Sequence, residues 1–181
     1  MSFFFYKHFE NVIKYDLINK FNFKNIKSLP KLNKIVLNFN CQPDNFQELL
    51  KCLIAVEFIT LQQSILTYSK ISNVSLKIRK GQPIGCKVTL RKNKLYCFLT
   101  LLVTKIIPNV LNFKIIKIKN SKFLNNSISF KIKKNLFLPE LESHYVLFKN
   151  LPFMQITLIA NTETLEELIY LIRSFNFPIK N

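Results

Sequence analysis

The chain has 181 residues, 49% of them hydrophobic, and carries 27 Lys and Arg against 10 Asp and Glu, a formal net charge of +17. This apolar share argues against intrinsic disorder, and the length is too short for two large domains. We expect one domain over residues 1–181, with a helix–strand–helix part at 1–58 and a part carrying a basic loop at 59–181.

The first sixty residues predict a helix, a strand and a second helix. Apolar residues at helical spacing favour a helix over about residues 3–20. The alternating sequence KLNKIVLNFN indicates a strand at residues 31–40. Asp44 is a good N-cap for a helix over about residues 45–58. This part therefore alternates helix and strand.

Both glycines of the chain lie in KIRKGQPIGCKVTLR, between a strand predicted at SILTYSK and a strand predicted from Cys86 to Arg91. Gly81 with Gln82 and Pro83 predicts a tight turn in an extended basic loop. A nucleotide-binding phosphate loop fits poorly, because three residues rather than four separate the glycines and no GK[ST] follows. A loop that contacts an RNA backbone fits better, since Lys and Arg neutralise phosphates.

The second half predicts a helix over about residues 93–107 that ends at Pro108, and a partial strand over 110–120. SISFKIK, residues 127–133, and FMQITLIA, residues 153–160, alternate as strands do. A terminal helix is predicted with Thr162 as N-cap and an end before Pro178. This order predicts an α+β fold: a mostly antiparallel sheet with helices packed on one face and an open RNA-binding face.

The distribution of charge identifies the class of partner. Between Glu57 and Glu140 there is no acidic residue, although Lys and Arg recur throughout. A surface that only confers solubility would mix both signs. Large positive charge indicates a polyanion, either nucleic acid or an anionic membrane. A membrane-surface protein would carry a basic amphipathic helix, whereas these basic residues cluster on a loop and strands.

Three further functions are disfavoured by missing residues. The most apolar stretch, Leu95 to Leu111, is interrupted by Lys105 and Pro108, so no membrane span is expected, and we see no targeting signal. An enzyme acting on nucleic acid would need paired carboxylates or a metal cluster, which the basic centre lacks. The four cysteines have no CxxC spacing, which favours buried, reduced thiols over zinc. We therefore expect no catalytic residue, metal, cofactor or small-molecule substrate.

The residue usage also carries genomic information. Phe, Ile, Lys and Asn are abundant, whereas the chain has two Gly and no Trp. The abundant residues have AT-rich codons, so this bias indicates an AT-rich genome such as that of an organelle. We expect an organelle-encoded protein of the mitochondrial matrix, with a plastid as the second choice.

Several motifs in the same order resemble a known family. KIRKGQPIGCKVTLR, the helix LYCFLTLLVTKIIPNVLNF, the turn LFLPELE and the C-terminal SFNFPIK look like those of the bacterial-type large-subunit ribosomal protein L5 family. The resemblance covers nearly the whole chain. It implies a structural protein that binds 5S rRNA in the central protuberance and contacts P-site tRNA during translation.

The resemblance also implies which residues bind RNA. Asn38, Gln62 and Thr89 match the family's contacts to 5S rRNA from the sheet face, and Lys34 and Arg91 are expected beside them. Amides and hydroxyls suit contacts with splayed bases and 2′-OH groups.

The loop over about residues 73–85 matches the family's tRNA-contacting loop. Its expected contacts are Lys77, Arg79, Lys80, Gly81, Gln82 and Gly85. The implied partners are 5S rRNA or its organellar replacement, large-subunit rRNA, P-site tRNA and neighbouring ribosomal proteins of the central protuberance.

Overall fold

A computed structural model describes residues 4–42, 45–109, 116–117, 126–132 and 139–180. The helices are α1 (Phe4–His8 and Lys14–Lys20, joined by the π-helical segment Phe9–Ile13), α2 (Phe46–Thr60), α3 (Lys92–Leu101, continued by the π-helical segment Leu102–Ile106 and by Ile107–Asn109), α4 (Pro139–Glu142), α5 (Tyr145–Phe148) and α6 (Leu165–Ser174); a 3-10 turn covers Ile26–Ser28. In these ranges no helix has both the length and the hydropathy needed to cross a bilayer.

The strands are β1 (Lys31–Asn40), β2 (Ile65–Tyr68), β3 (Pro83–Leu90), β4 (Ile116–Lys117), β5 (Ser127–Ile132), β6 (Met154–Asn161) and β7 (Ile179–Lys180). Five of them form one sheet in the order β2-β3-β1-β6-β5, and β4 pairs in parallel with β7. β2 runs antiparallel to β3, with Ile65 opposite Lys87. The predicted α+β class with a mostly antiparallel sheet is confirmed.

Side-chain burial alternates along the strands. In β1 the side chains of Ile35, Leu37 and Phe39 are fully buried, whereas Val36 and Asn38 are half-buried. The same alternation runs through β6. Period-two burial is what a sheet covered on one face produces. These two strands therefore have a core side and an open side, and the open side of β1 carries Asn38.

The chain divides into two compact units. The first unit comprises residues 1–35, 90–130 and 157–181, and the second comprises residues 36–89 and 131–156. Leu17, Leu99 and Phe175 are fully buried in the first unit. Phe39 and Phe148 are fully buried in the second. The expected single domain over 1–181 stays a prediction.

Two predicted helix caps are wrong. The cap of α2 is Asn45, whose Oδ1 accepts a hydrogen bond from the Glu48 amide at 3.4 Å, while the predicted Asp44 lies outside the described residues. The cap of α6 is Thr164, whose hydroxyl accepts from the Glu167 amide at 3.4 Å. Thr162, the predicted cap, is buried instead. A cap is set by which backbone amides a short polar side chain reaches, and neighbouring polar residues compete for that position.

Two other boundaries differ from prediction. α3 continues through Pro108 to Asn109, because proline disturbs the preceding turn without always ending the helix at that residue. Of the partial strand predicted over 110–120, the structure describes the strand residues Ile116–Lys117 alone, and the rest lies outside the described residues.

The four cysteines are free thiols, but they are not all buried. Cys41, Cys52 and Cys86 are buried in the second unit, whereas Cys97 is exposed on α3, which corrects the expectation of buried thiols. Burial raises the pKa of Cys86 to about 12. The thiol of Cys41 and burial together raise the pKa of Cys52.

These differences predict selective thiol labelling. The reagent must reach the sulfur atom, so an aromatic disulfide reagent at pH 8 should modify the exposed Cys97 rapidly and the three buried cysteines only after unfolding. Cys97→Ser should remove the fast phase, and Cys86→Ser should leave it unchanged. A fast phase that survives Cys97→Ser would contradict the burial of the remaining thiols.

Candidate nucleic-acid interface

Gln62 and Thr89 are held together across the end of α2. Leu61 adopts a left-handed conformation (φ 50°) that ends the helix and turns the chain towards the sheet. The Gln62 side-chain amide then donates to the Thr89 carbonyl oxygen at 3.3 Å. This bond fixes the glutamine beside the open side of β3. The structure therefore brings together two of the three predicted 5S rRNA contacts.

The segment between α2 and β2, which carries Gln62, is also held by hydrogen bonds at its other end. One oxygen of the Glu57 carboxylate accepts hydrogen bonds from both the amide and the hydroxyl of Ser64, each at 3.0 Å. The Thr60 hydroxyl donates to the Val56 carbonyl at 2.8 Å and lies 3.3 Å from the Gln62 carbonyl. A side chain on so constrained a turn loses little further freedom when a ligand binds.

Asn38 lies on β1, the strand next to β3 in the sheet. Its side-chain nitrogen donates to Oδ1 of Asn40 at 2.9 Å. Its own Oδ1 is buried and has no hydrogen-bond partner among the described residues. An unsatisfied buried acceptor costs about 1–3 kcal/mol. A bound molecule could recover this free energy only if the Asn38 side chain turned to meet its donor.

The two remaining predicted contacts, Lys34 and Arg91, differ in their exposure and in their position in the fold. Lys34 is half-buried and shares the open side of β1 with Asn38. Arg91 is exposed and directly follows β3, at the N-cap position of α3. Both residues belong to the first unit, whereas Asn38, Gln62 and Thr89 belong to the second.

The open sides of the strands carry no negative charge. None of the five strands of the large sheet contains Asp or Glu, and the outward side chains of the second unit include Lys87, Lys131 and Gln155. None of these three residues was among the predicted RNA contacts. Their alternation with buried neighbours in the predicted strands was the signal that could have identified them.

The loop between β2 and β3 forms a hairpin that backbone hydrogen bonds close. Asn73 and Ile78 exchange two backbone hydrogen bonds, of 2.9 and 3.0 Å, and close a turn over residues 74–77. The Asn73 side chain accepts from both the amide and the hydroxyl of Ser75. Lys77 takes up the left-handed conformation that completes the turn (φ 53°). We call residues 69–82 the hairpin.

A second turn lies at the base of the hairpin. The Gln82 amide donates to the Arg79 carbonyl at 3.2 Å, and Gly81 between them has φ 83°. The Gln82 side chain accepts from the Arg79 amide at 3.1 Å. Positive φ at the third residue of such a turn favours glycine. The predicted tight turn exists, but it spans residues 79–82, and Pro83 begins β3 instead of belonging to the turn.

The tip of the hairpin is apolar and its flanks are basic. Val74 is 93% exposed and Leu76 is 60% exposed. The side chains of Lys77, Arg79 and Lys80 are also exposed. An apolar tip next to cations can pack on a base or sugar while the cations reach phosphates.

Gly85 does not belong to the hairpin. It lies within β3 and is buried, and a Cβ at this position would come within 2.2 Å of the Phe39 carbonyl oxygen. The loop therefore ends at Gln82, not at Gly85, and Gly85 is required for close approach of two strands. A buried residue of this kind offers no surface to tRNA.

The described residues contain no group of three His, Cys, Asp or Glu side chains that could hold a metal ion. The arrangement provides amides, hydroxyls and cations in fixed positions. Such groups bind a polyanion and read its shape.

Comparison with known proteins agrees with this chemistry. Residues 83–179, more than half of the chain, match the family model described as the C-terminus of the ribosomal L5 family. The chain is 35% identical over 175 residues to the large ribosomal subunit protein uL5m of Reclinomonas americana, covering 96% of both chains. It is 31% identical over 176 residues to uL5 of Blochmanniella floridana, covering 96% of this chain and 91% of that protein. It is 37% identical over 164 residues to uL5 of Clostridium acetobutylicum, covering 90% and 89%.

Proposed function

Because the chain belongs to the ribosomal L5 family, we propose that its sheet binds 5S rRNA and that its hairpin contacts P-site tRNA. The chain is a structural protein of the large ribosomal subunit and is not an enzyme. The proposal concerns which RNA each surface meets.

The observation that carries the proposal is the pairing of Gln62 with Thr89 on an acid-free sheet. Single-stranded or distorted RNA is recognised by hydrogen bonds to base edges and 2′-OH groups. The Gln62 amide, the Thr89 hydroxyl and the Asn38 amide oxygen supply both donors and acceptors of that kind. Lys34, together with Arg91, adds charge for the phosphates. These groups would hold 5S rRNA, or its organellar replacement, in the central protuberance.

The hairpin has the chemistry for a second, separate RNA contact. Its returning side carries Lys77, Arg79 and Lys80 in exposed positions, and the turn over residues 79–82 fixes the backbone at Arg79 and Lys80. Neutralising phosphates releases counterions, so this contact strengthens at low salt. A preformed hairpin that projects apolar side chains fits the folded elbow of a tRNA in the P site.

The same proposal places the protein in a mitochondrial ribosome. The AT-rich residue usage and the similarity to a mitochondrial uL5m support this location, although the bacterial relatives are similarly close. Large-subunit rRNA and neighbouring proteins of the central protuberance would be its further partners.

Removing the polar contacts should weaken 5S rRNA binding. We expect Asn38→Ala, Gln62→Ala and Thr89→Ala each to lower affinity about three- to tenfold, since a net hydrogen bond is worth roughly 0.5–1.5 kcal/mol. Gln62→Ala should have the largest effect, because it also releases the bond to the Thr89 carbonyl. Filter binding or fluorescence anisotropy at fixed salt measures the change.

Gln47→Ala is the matched control, since Gln47 is an exposed glutamine of α2 in the same unit. It should bind 5S rRNA as the unchanged protein does. Normal binding by all three of the sheet variants would move the 5S rRNA site off this surface.

A further inference from the structure

The helix α2 carries large apolar side chains on its outer face as well as on its buried face. Its buried side chains lie in the second unit: Leu49, Cys52, Ala55, Val56, Ile59 and Thr60. Four large apolar side chains on the outer face are 41–66% exposed: Phe46, Leu50, Ile54 and Phe58. A helix that is apolar on all sides is ordinarily buried on all sides. The outer face of α2 is therefore suited to burial in an assembly.

The four exposed side chains form one continuous row. They stand at every fourth position of the helix, so each lies about one turn from the next. Rows with this spacing are the ridges that pack into the grooves of another helix. We call Phe46, Leu50, Ile54 and Phe58 the outer ridge. Its geometry favours a helix as the partner.

The short helix α5 extends the apolar surface at one end of the outer ridge. The ring of Phe58 lies 5.7 Å from that of His144 and 6.2 Å from that of Phe148, which is buried. These contacts hold α5 beside the end of α2, within the second unit. Three consecutive residues of α5 are 49–88% exposed: Tyr145, Val146 and Leu147. Single exposed apolar side chains are normal, whereas a contiguous patch of them marks an interaction site.

The charges around this patch are mostly acidic. Residues 46–60 and 139–149, which contain α2, α4 and α5, carry four glutamates against two lysines, in a chain whose formal net charge is +17. This surplus of carboxylates repels the phosphates of RNA and of anionic lipids, and a helix that lies on a membrane has a basic polar face instead. A second copy of this chain would bring the same surplus against itself. The patch is therefore complementary to a basic protein.

We propose that the outer ridge, with α5 beside it, binds an amphipathic helix of another protein of the large ribosomal subunit. That helix has Leu, Ile or Phe on one face and Lys or Arg along the edges of that face. Its apolar side chains pack against Leu50 and Ile54, and its cations lie near Glu48, Glu57 and Glu142. The assignment rests on membership of the ribosomal L5 family, and not on which RNA the sheet or the hairpin binds.

A photo-crosslinker on the outer ridge tests the proposal in the assembled particle. Large subunits are reconstituted with the full chain carrying benzoylphenylalanine in place of Leu50, and the crosslinked peptides are identified by mass spectrometry. The crosslink should join one other ribosomal protein, at a segment with apolar residues three or four positions apart and Lys or Arg beside them. Ile54→Glu should lower the crosslink yield at least about tenfold, because the new carboxylate would be buried without a partner.

Ile18→Glu is the matched control. Ile18 is an isoleucine of α1 in the first unit and is 44% exposed, against 47% for Ile54. It should leave the crosslink yield unchanged, and both variants should unfold near the Tm of the unchanged protein, since both positions reach water.

Four results would overturn the proposal. They are a crosslink to rRNA, a crosslink to a second copy of this chain, equal loss of yield in both variants, and the absence of any crosslink in intact subunits. Flotation of the isolated chain with phosphatidylcholine–cardiolipin vesicles, abolished by Ile54→Glu but not by Ile18→Glu, would assign the patch to a membrane and overturn it as well. None of these outcomes depends on whether the isolated protein binds 5S rRNA.

Discussion

Replacing Gly85 with alanine is expected to destabilise the protein strongly, although the change adds one methyl group. The new Cβ would lie 2.2 Å from the Phe39 carbonyl oxygen and 3.2 Å from the Thr67 hydroxyl. The nearer atom belongs to the backbone of β1, so two paired strands must separate to accept it. Overpacking of this kind costs about 3 kcal/mol. Thermal denaturation should show a fall in Tm of roughly 6–12 °C for a chain of this length.

Gly81→Ala is the comparison that isolates the clash. A Cβ at Gly81 meets nothing within 4 Å, but the residue has φ 83°. Alanine there should cost about 1–2 kcal/mol of backbone strain. If Gly85→Ala unfolded no more easily than Gly81→Ala, the close approach of β3 to β1 would be wrong.

The two glycines also show where sequence reasoning succeeds and where it fails. Their proximity in a glycine-poor chain correctly indicated positions where the backbone needs glycine. Both were assigned to the loop, yet Gly81 serves a turn and Gly85 serves a strand contact. Sequence alone could not separate them, because the partner of Gly85 is Phe39, 46 positions earlier.

Alternating strands were the most predictable part of the fold. β1, β5 and β6 lie where the period-two patterns put them, since burial of one face imposes that pattern directly. The start of β3 was placed three residues late, because Pro83 and Gly85 both disfavour strands in isolation. The π-helical segments of α1 and α3 were not foreseen, since their apolar spacing resembles that of an ordinary helix.

The candidate site was likewise predictable from the sequence only in part. The residue types at Asn38, Gln62 and Thr89 could be read from the sequence, but the hydrogen bond from Gln62 to Thr89 depends on the left-handed Leu61. Leucine rarely adopts that conformation, so no local rule predicts it.

Reversing two charges on the hairpin is expected to produce the largest functional effect. Arg79→Glu with Lys80→Glu removes two cations from exposed positions and adds two anions to the surface that we propose contacts tRNA. Losing two phosphate contacts should reduce the slope of log affinity against log salt by about 1.5 and weaken P-site tRNA binding by tenfold or more. Ribosomes assembled with the variant should release P-site tRNA faster and translate more slowly.

Binding of the same variant to isolated 5S rRNA separates the two proposed surfaces. The hairpin residues 69–82 project from the β2 and β3 edge, whereas Gln62 and Thr89 lie where α2 meets the other end of β3, so 5S rRNA binding should change little. Arg79→Lys with Lys80→Arg keeps both charges and should behave almost normally, since exposed phosphate contacts depend mainly on charge. A photo-crosslinker at Val74, which is 93% exposed, should capture tRNA. Collapse of 5S rRNA binding in the charge-reversed variant, or crosslinks to rRNA alone, would reassign the hairpin to rRNA. The reason is that a surface that meets tRNA only within the assembled ribosome contributes nothing to the complex of the isolated protein with 5S rRNA.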